Sequence, residues 1–471
     1  MLLSSSVVGV VGRTIEGDFS RSRLLVVLQS AKQKEENSII FAEMDKLFET
    51  TYKVFNGALD EKSKSKDDIS LRFFDQPVTP GLEEGTFDDR VGRTNDDFHY
   101  DHLMIMASTA SSFRNQGFTN DDVLQFFDSG RNLFIAGSTK AKGFARDMFK
   151  EFGAQLYPAK AEITGQAGQV KIQDLEDQGL TATKQINQAI KNTIVNVDSE
   201  VAFLGSGIKV DPDNSYSFPI LSGNDGLKAK LPSKNVGGKE VKREFLGEDV
   251  VLVSGYQSRY NQRAVLSASI EICTDKFINA TQVGEDVTTS PNYQFCLETL
   301  KWNFQAKSVL KLENFDHSLV DTSLVETGRQ KIQEYKLRDE IQVSFDIYEK
   351  VDNEWVPFKA DDVVLEFIML NPFNIETMQN TEGAHYNVKF NVPDHNGVYK
   401  FKIDYLSPGY TRVYYDEITP VRVFNHDEFP TYDARAYPYF AAVYLLTIAF
   451  IIFSASYAFM SDKPLKKMKK D

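Results

Sequence analysis

Three short stretches of this 471-residue chain carry residue types that could do chemistry. Asp211-Pro212-Asp213 sets two carboxylates two positions apart. Many glycosyltransferases hold a divalent ion against a sugar-nucleotide diphosphate with such a pair, because two carboxylates help offset the phosphate charge. The continuation Pro212-Asp213-Asn214 is also turn chemistry, so a solvated surface turn is the competing reading. Gly205-Ser206-Gly207 supplies two glycines of a dinucleotide-binding loop, but the third is missing and residue 210 is Val. His99 and His102 flank the apolar run "YDHLMIMAS" (100–108), where strand alternation turns them to opposite faces and away from a shared metal. No P-loop and no G-x-S-x-G elbow occur, and Asp121-Asp122 and Asp361-Asp362 read as helix-start and loop charges. No catalytic, cofactor-binding or metal-ligating set is expected from these residues.

Only two cysteines are present, Cys273 and Cys296, both outside the first third of the chain, which therefore lacks a thiol nucleophile. An oxidising compartment permits a disulfide between them; two unpaired buried thiols are the alternative. The acceptor sequon Asn279-Ala280-Thr281 lies between the cysteines. It is usable for glycosylation only if exposed in a secretory lumen.

That compartment is indicated by the carboxyl end. No Asp, Glu, Lys or Arg occurs from Ala436 to Ser461, and at about 1.5 Å per residue such a helix exceeds the roughly 30 Å hydrocarbon core of a bilayer. A transmembrane helix is expected over 436–460, with Tyr437, Tyr439 and Tyr457 near the lipid–water interfaces. Lys463, Lys466, Lys467, Lys469 and Lys470 follow it, whereas Asp427, Glu428 and Asp433 outnumber Arg435 ahead of it. Positive flanks stay cytosolic, so the bulk is expected on the luminal side and the basic tail 461–471 in the cytosol. The apolar start "MLLSSSVVGVVG" makes 1–20 a weak signal-peptide candidate, short of a basic leading region. Lys467 and Lys469, three and five residues from the end, have the spacing of a dilysine retrieval signal of the endoplasmic reticulum; a generic stop-transfer cluster is the alternative. A net charge of −14, spread along the chain, argues against a nucleic-acid partner.

The elements that would position these residues change character along the chain. "RLLVVLQ" (23–29), "YDHLMIMAS" and "NLFIAGS" (132–138) read as buried strands, and helical patterns fall at about 36–56, at "TNDDVLQFFDSG" (119–130) and at "KGFARDMFKEFG" (142–153). This rhythm implies a Rossmann-like or flavodoxin-like α/β domain over 21–160, with a parallel sheet covered on both faces. A second α/β region is expected over 161–315, with strands at 201–210, 248–257 and 263–272, a helix at 293–305, and a flexible Gly/Lys/Ser-rich loop at 223–240. Strict alternation, as in Ile341, Val343, Phe345 and Ile347, predicts an all-β sandwich over 325–424.

The ordered blocks "YDHLMIMASTASSF", "VLQFFDSGRNLFIAGS", "VDPDNSYSFPIL", "GYQSRYNQRAVLSASIEICTDKF", "LKWNFQAKSVLKL", "EWVPFKADDVVLEFIMLNPF", "YNVKFNVPDHNGVYKFKIDYLSPGYT" and "AYPYFAAVY" closely resemble the 48 kDa subunit family of oligosaccharyltransferase, from about residue 98 to the end. The resemblance implies a type I protein of the endoplasmic reticulum membrane. It implies a non-catalytic subunit of the complex that moves a preassembled glycan from dolichyl diphosphate to Asn in Asn-x-Ser/Thr. The catalytic centre would lie in a separate multi-span subunit, and the partners would include that subunit, a ribophorin II-type subunit and a DAD-type subunit. Ser454 and Ala458, four apart on the expected span, are small enough for close helix packing in lipid; ordinary lipid-facing composition is the alternative. Two rivals from other classes are a luminal carbohydrate-active enzyme using Asp211 and Asp213, and a type I receptor with the sandwich as its ligand module.

Overall fold

A computed structural model describes residues 22–54, 98–113, 119–159, 161–165, 180–183, 185–236, 239–282, 284–320, 334–352, 354–429 and 434–460. The expected signal segment 1–20 and the tail 461–471, with Lys467 and Lys469, lie outside them.

The chain up to residue 306 builds a mixed α/β body. In order it forms β1 (Arg23–Leu28), α1 (Lys32–Glu36), α2 (Ser38–Leu47), β2 (Glu49–Val54), β3 (His102–Ile105), α3 (Asn120–Asp128), β4 (Asn132–Ala136), α4 (Gly143–Glu151) and β5 (Ala154–Leu156). Then come β6 (Glu162–Thr164), β7 (Thr181–Thr183), β8 (Gln185–Ile186), β9 (Val201–Phe203), β10 (Ile208–Val210), β11 (Ser217–Ser222), β12 (Lys228–Val236) and β13 (Lys239–Leu246). The body closes with β14 (Val251–Gln257), β15 (Arg263–Ser267), α5 (Asp275–Ala280) and α6 (Pro291–Asn303).

Its main sheet runs β2-β1-β3-β4-β15-β14-β10-β5, with β11 and then β8 added beside β14. From β2 to β15 neighbouring strands are parallel. Such strands are covered on both faces, which is why Leu24–Leu28, Leu103–Ile105 and Leu133–Ala136 are continuously apolar and buried. From β15 onward the pairing turns antiparallel, so the sheet is mixed where a parallel one is expected. Strands from both 21–160 and 161–315 share this sheet and one apolar core. The helices have local causes. Thr119 caps α3, its Oγ1 accepting from Asp122 N while the Asp122 carboxylate accepts from Thr119 N at 2.8 Å. Cys273 and Cys296 are joined by a disulfide that ties the segment before α5 to α6.

Two expectations in this body are corrected. The helix expected over 36–56 ends at Leu47, because the β-branched and aromatic run Thr50-Thr51-Tyr52 joins the sheet edge as β2, parallel to β1. The flexible loop expected at 223–240 is largely the hairpin β12–β13, extended by β6 to three strands. Buried Ala229 and half-buried Leu231 and Phe245 pack it onto the body, with Phe245 stacked on Tyr157 at 5.6 Å. Three apolar anchors and backbone pairing hold a strand pair whose composition reads as a loop.

The remainder is β-rich: β16 (Val309–Leu319), β17 (Tyr335–Lys336), β18 (Glu340–Val351), β19 (Glu354–Pro357), β20 (Val364–Ile368), β21 (Pro372–Thr377), β22 (Gln379–Glu382), β23 (His385–Asn391), β24 (Gly397–Tyr405) and β25 (Val413–Arg422). Two five-stranded sheets result, β16-β18-β23-β22 with β19 beside β18, and β17-β25-β24-β20-β21. Alternation supplies one core between them: Ile341, Val343, Phe345 and Ile347 are fully buried, and Phe367 of one sheet meets Phe390 of the other at 5.5 Å. Beyond this unit stands α7 (Tyr437–Phe459), long and apolar enough to cross a membrane, with none of its residues buried.

Replacing both cysteines by serine (Cys273→Ser with Cys296→Ser) is expected to lower the unfolding free energy by roughly 3 kcal/mol, the loop-closure value for a 23-residue separation. Urea unfolding followed by tryptophan fluorescence reads this directly, since Trp302 lies in α6 with Cys296; an unchanged midpoint would show that the crosslink constrains nothing.

Candidate functional site

In open α/β sheets ligands bind beyond the carboxyl ends of the parallel strands. Among the described residues that edge is packed. Met106, Ala107 and Ser108 after β3, and Ser269 after β15, are all buried. Ser108 and Ser138 share a hydroxyl–hydroxyl hydrogen bond of 2.9 Å across the β3 and β4 ends. The cavity beneath Asn37 has a volume of about 10 Å³, lined by Ile40, Met104, Phe134 and the disulfide-bonded Cys273. The amide of Asn37 donates to Gln33 O at 2.8 Å and its Oδ1 has no protein partner. A single water fits such a space, whereas ligand pockets run to several hundred Å³.

The sequence-level candidates are dispersed. Asp211 and Asp213 stand in an exposed turn after β10, with Asp211 Oδ1 accepting from Asp213 N at 3.2 Å. Gly205 and Gly207 serve close packing: a Cβ on Gly205 would meet Ala268 O at 2.6 Å, and one on Gly207 the Tyr157 ring at 2.5 Å. No group of three His, Cys, Asp or Glu able to hold a metal occurs among the described residues. Asn279 is exposed on the last turn of α5, while Thr281 two residues on is buried, its hydroxyl bonded to Phe277 O at 2.8 Å and Ser290 Oγ at 2.7 Å. Ser454 and Ala458 lie one turn apart on α7, both exposed.

The polar residues that do converge lie at the opposite, amino edge of the sheet. Arg263 opens β15 and is fully buried. Its Nη1 donates to Trp302 O at 2.7 Å and Lys307 O at 2.9 Å; its Nη2 donates to Ser308 O at 2.7 Å and Gly409 O at 3.2 Å. Trp302 lies against the guanidinium at 4.8 Å and sends Nε1–H to the same Gly409 oxygen at 2.7 Å. Burial pulls the guanidinium down to about 9, which leaves it protonated at neutral pH. Gly409, in the β24–β25 turn, is left-handed at φ 84°, and a Cβ there would come within 2.5 Å of Thr193 Oγ1.

Around this clamp the amide orientations follow from their partners. Asn132 Oδ1 accepts from Arg263 N at 2.9 Å and Gln305 Nε2 at 3.3 Å, so its Nδ2 donates to His102 Nδ1 at 3.2 Å. His102 therefore carries its proton on the other ring nitrogen. It is buried between Phe48 and Phe304, and burial holds it down to about 4, a neutral core histidine. Asn261 and Arg412 exchange bonds of 2.7 and 3.1 Å, Gln257 donates to Tyr410 O at 2.6 Å, and Lys301 pairs with Asp352 at 2.6 Å. These contacts fix the α/β body to the β-rich unit. Nothing in the sequence singles out Arg263, beyond an arginine at the head of an otherwise apolar strand.

Comparisons with known proteins agree along the chain. The family model for the OST48 N-terminal domain matches residues 93–306, and that for the OST48 middle domain matches 323–461. Three similar proteins are each named dolichyl-diphosphooligosaccharide–protein glycosyltransferase 48 kDa subunit. That of Arabidopsis thaliana is 26% identical over 449 residues, covering 93% of this chain and 92% of its own length. The Danio rerio protein is 28% identical over 374 residues (78% and 82%), and that of Drosophila melanogaster 26% identical over 463 residues (95% and 93%).

Arg263→Met is expected to destabilise the protein by about 3 kcal/mol, because the four charge-assisted bonds from the guanidinium to the Trp302, Lys307, Ser308 and Gly409 carbonyls are lost together, and Arg263→Lys to recover only part of this. Limited proteolysis between body and β-rich unit should then accelerate; an unaltered cleavage pattern in both variants would remove the clamp's assigned role. The pH dependence falls to His102. Its folded value lies below the ordinary 6.5, so the unfolded chain binds the proton first as pH falls. Stability is therefore lost between pH 6.5 and 4, by about 3 kcal/mol in all. His102→Phe should flatten that slope in denaturation midpoints measured across this range, and an unchanged slope would assign it to other groups.

Proposed function

The chain belongs to the oligosaccharyltransferase 48 kDa subunit family, and from that premise we propose that it is a non-catalytic, single-span subunit that braces the complex from the luminal side. The complex would transfer a preassembled glycan from dolichyl diphosphate to Asn in Asn-x-Ser/Thr, with chemistry supplied by a multi-span partner and with ribophorin II-type and DAD-type subunits as neighbours. One observation carries the reading. Among the described residues, the sheet edge where this kind of fold usually binds ligands is packed by Met106, Ala107, Ser108 and Ser269, while the polar residues of the opposite edge bond one another and the β-rich unit.

In this reading α7 crosses the endoplasmic reticulum membrane, Ser454 and Ala458 give a neighbouring helix a close approach, and Lys467 and Lys469 return escaped copies by their spacing from the carboxyl end. Asn279 becomes an acceptor in its own right. Because the Thr281 hydroxyl is buried and bonded in the folded protein, modification would have to precede the folding of α5.

Isolation from mild detergent is expected to bring down a multi-span glycosyltransferase subunit with this chain; recovery of a lone monomer with transferase activity of its own would overturn the proposal. In sealed microsomes, external protease should remove only the tail beyond α7. A glycan sensitive to endoglycosidase and lost in Asn279→Gln would mark the body as luminal, and protection of the tail with digestion of the body would reverse the topology.

A further inference from the structure

The β-rich unit has two unlike ends. At one, the β24–β25 turn carries Gly409 into the Arg263 clamp. From there β25 runs as ten residues, Val413 to Arg422, a length of about 33 Å in a strand. Its far end is fixed by register: Gly397 pairs with Val421, and Ile368 with Lys400. The β20–β21 turn, the turn before β24 and the exit from β25 therefore gather at one place, away from the body.

That place is also where the chain departs for α7. The Arg422 guanidinium grips Glu428 through two bonds of 2.6 and 2.9 Å, and Asn425 N donates to the same carboxylate, which folds 423–428 back onto the strand end. Only the eight residues 429–436 remain before α7 begins at Tyr437. Fully extended they reach at most about 28 Å. If α7 crosses a bilayer, this end of the unit faces it at close range.

Exposed apolar side chains collect here. Leu370 in the β20–β21 turn is 90% exposed, Val398 61%, Phe429 55%, Val423 52% and Phe373 43%. The basic side chains Arg338, Arg422 and Lys336 here are met locally by Asp394, Glu428 and Asp339, and Asp427 adds an exposed carboxylate. A rim of apolar tips with paired charges suits the interface of a zwitterionic bilayer better than an anionic surface or a charged partner.

We propose that this rim rests in the luminal interface of the bilayer that α7 crosses, with Leu370 inserted at headgroup depth. The inference rests on the membrane-spanning reading of α7 given above. Because both native cysteines are in the disulfide, a single introduced cysteine can carry an environment-sensitive fluorophore. Leu370→Cys and Val398→Cys are compared with Leu406→Cys, a position of intermediate exposure (70%) that follows β24 at the joint end. The full chain, alone and within its isolated complex, is reconstituted into phosphatidylcholine vesicles. At 370 and 398, iodide quenching should fall at least about threefold below that at 406, and nitroxide-labelled lipid should quench the fluorophore. Iodide access equal to that at 406 would overturn the rim. Shielding from iodide without lipid quenching would overturn it in favour of a protein cover. Alkaline carbonate extraction of the same vesicles reports α7 separately: release would sink the spanning reading, whereas retention with an iodide-accessible Leu370 sinks only the rim.

Discussion

A buried arginine held by backbone carbonyls is the interaction on which this molecule depends. Desolvating a guanidinium is costly, and among the described residues Arg263 is compensated by four carbonyl dipoles and the face of Trp302. The planar fork suits this task, since two nitrogens can each reach two oxygens; a lysine ammonium has fewer fixed directions. The carbonyls come from three places: the end of α6, the lead into β16, and the β24–β25 turn. Parting the body from the β-rich unit would break the bonds from Arg263 to the Lys307, Ser308 and Gly409 carbonyls, and that from Trp302 to Gly409, at the same time. One side chain thus couples several contacts of the joint.

The sheet has been put to unusual use. Among the described residues its carboxyl edge, where ligands of such sheets lie, is packed with Met106, Ala107 and Ser108, and Ser108 and Ser138 hydrogen-bond across it. Its amino edge, ordinarily a matter of stability alone, carries His102, Asn132 and Arg263 in one chain of hydrogen bonds. Each of these would look reactive in isolation. In place, the histidine is neutral between two phenylalanines, the asparagine has both amide ends engaged, and the arginine is clamped. Fold alone does not give function, and here the polar residues of the fold have been spent on rigidity.

What could be read from the sequence follows from how each element earns its stability. Alternation in Glu340–Val351 and the apolar run Arg23–Leu28 are legible because side-chain burial decides those strands. The hairpin Lys228–Leu246 is not, since backbone pairing and a few anchors such as Phe245 hold it while five lysines and the pair Gly237-Gly238 give its sequence the look of a loop. Glu49–Val54 follows a helix so closely that the helical pattern runs over it. Arg263 is the hardest case. An arginine at a strand start reads as a solvated end, and its acceptors lie 39 to 146 residues away in the chain. Backbone carbonyls leave no trace in residue type, so a site built from them is invisible until the chain is folded.

The joint also changes what a weak contact at the far end could accomplish. A single helix in a fluid bilayer fixes depth but leaves a tethered domain free to lean. A second contact near the tether, held at high effective concentration by eight residues of chain, needs little affinity of its own to be occupied. Were the unit loosely hinged to the body, such a contact would orient only the unit. With Arg263, Trp302 and Gly409 joining the two parts, the same small contact would set the attitude of the whole body, at the other end of the ten-residue strand β25. Rigidity at a buried arginine would thus convert a local contact into an orientation of the whole body.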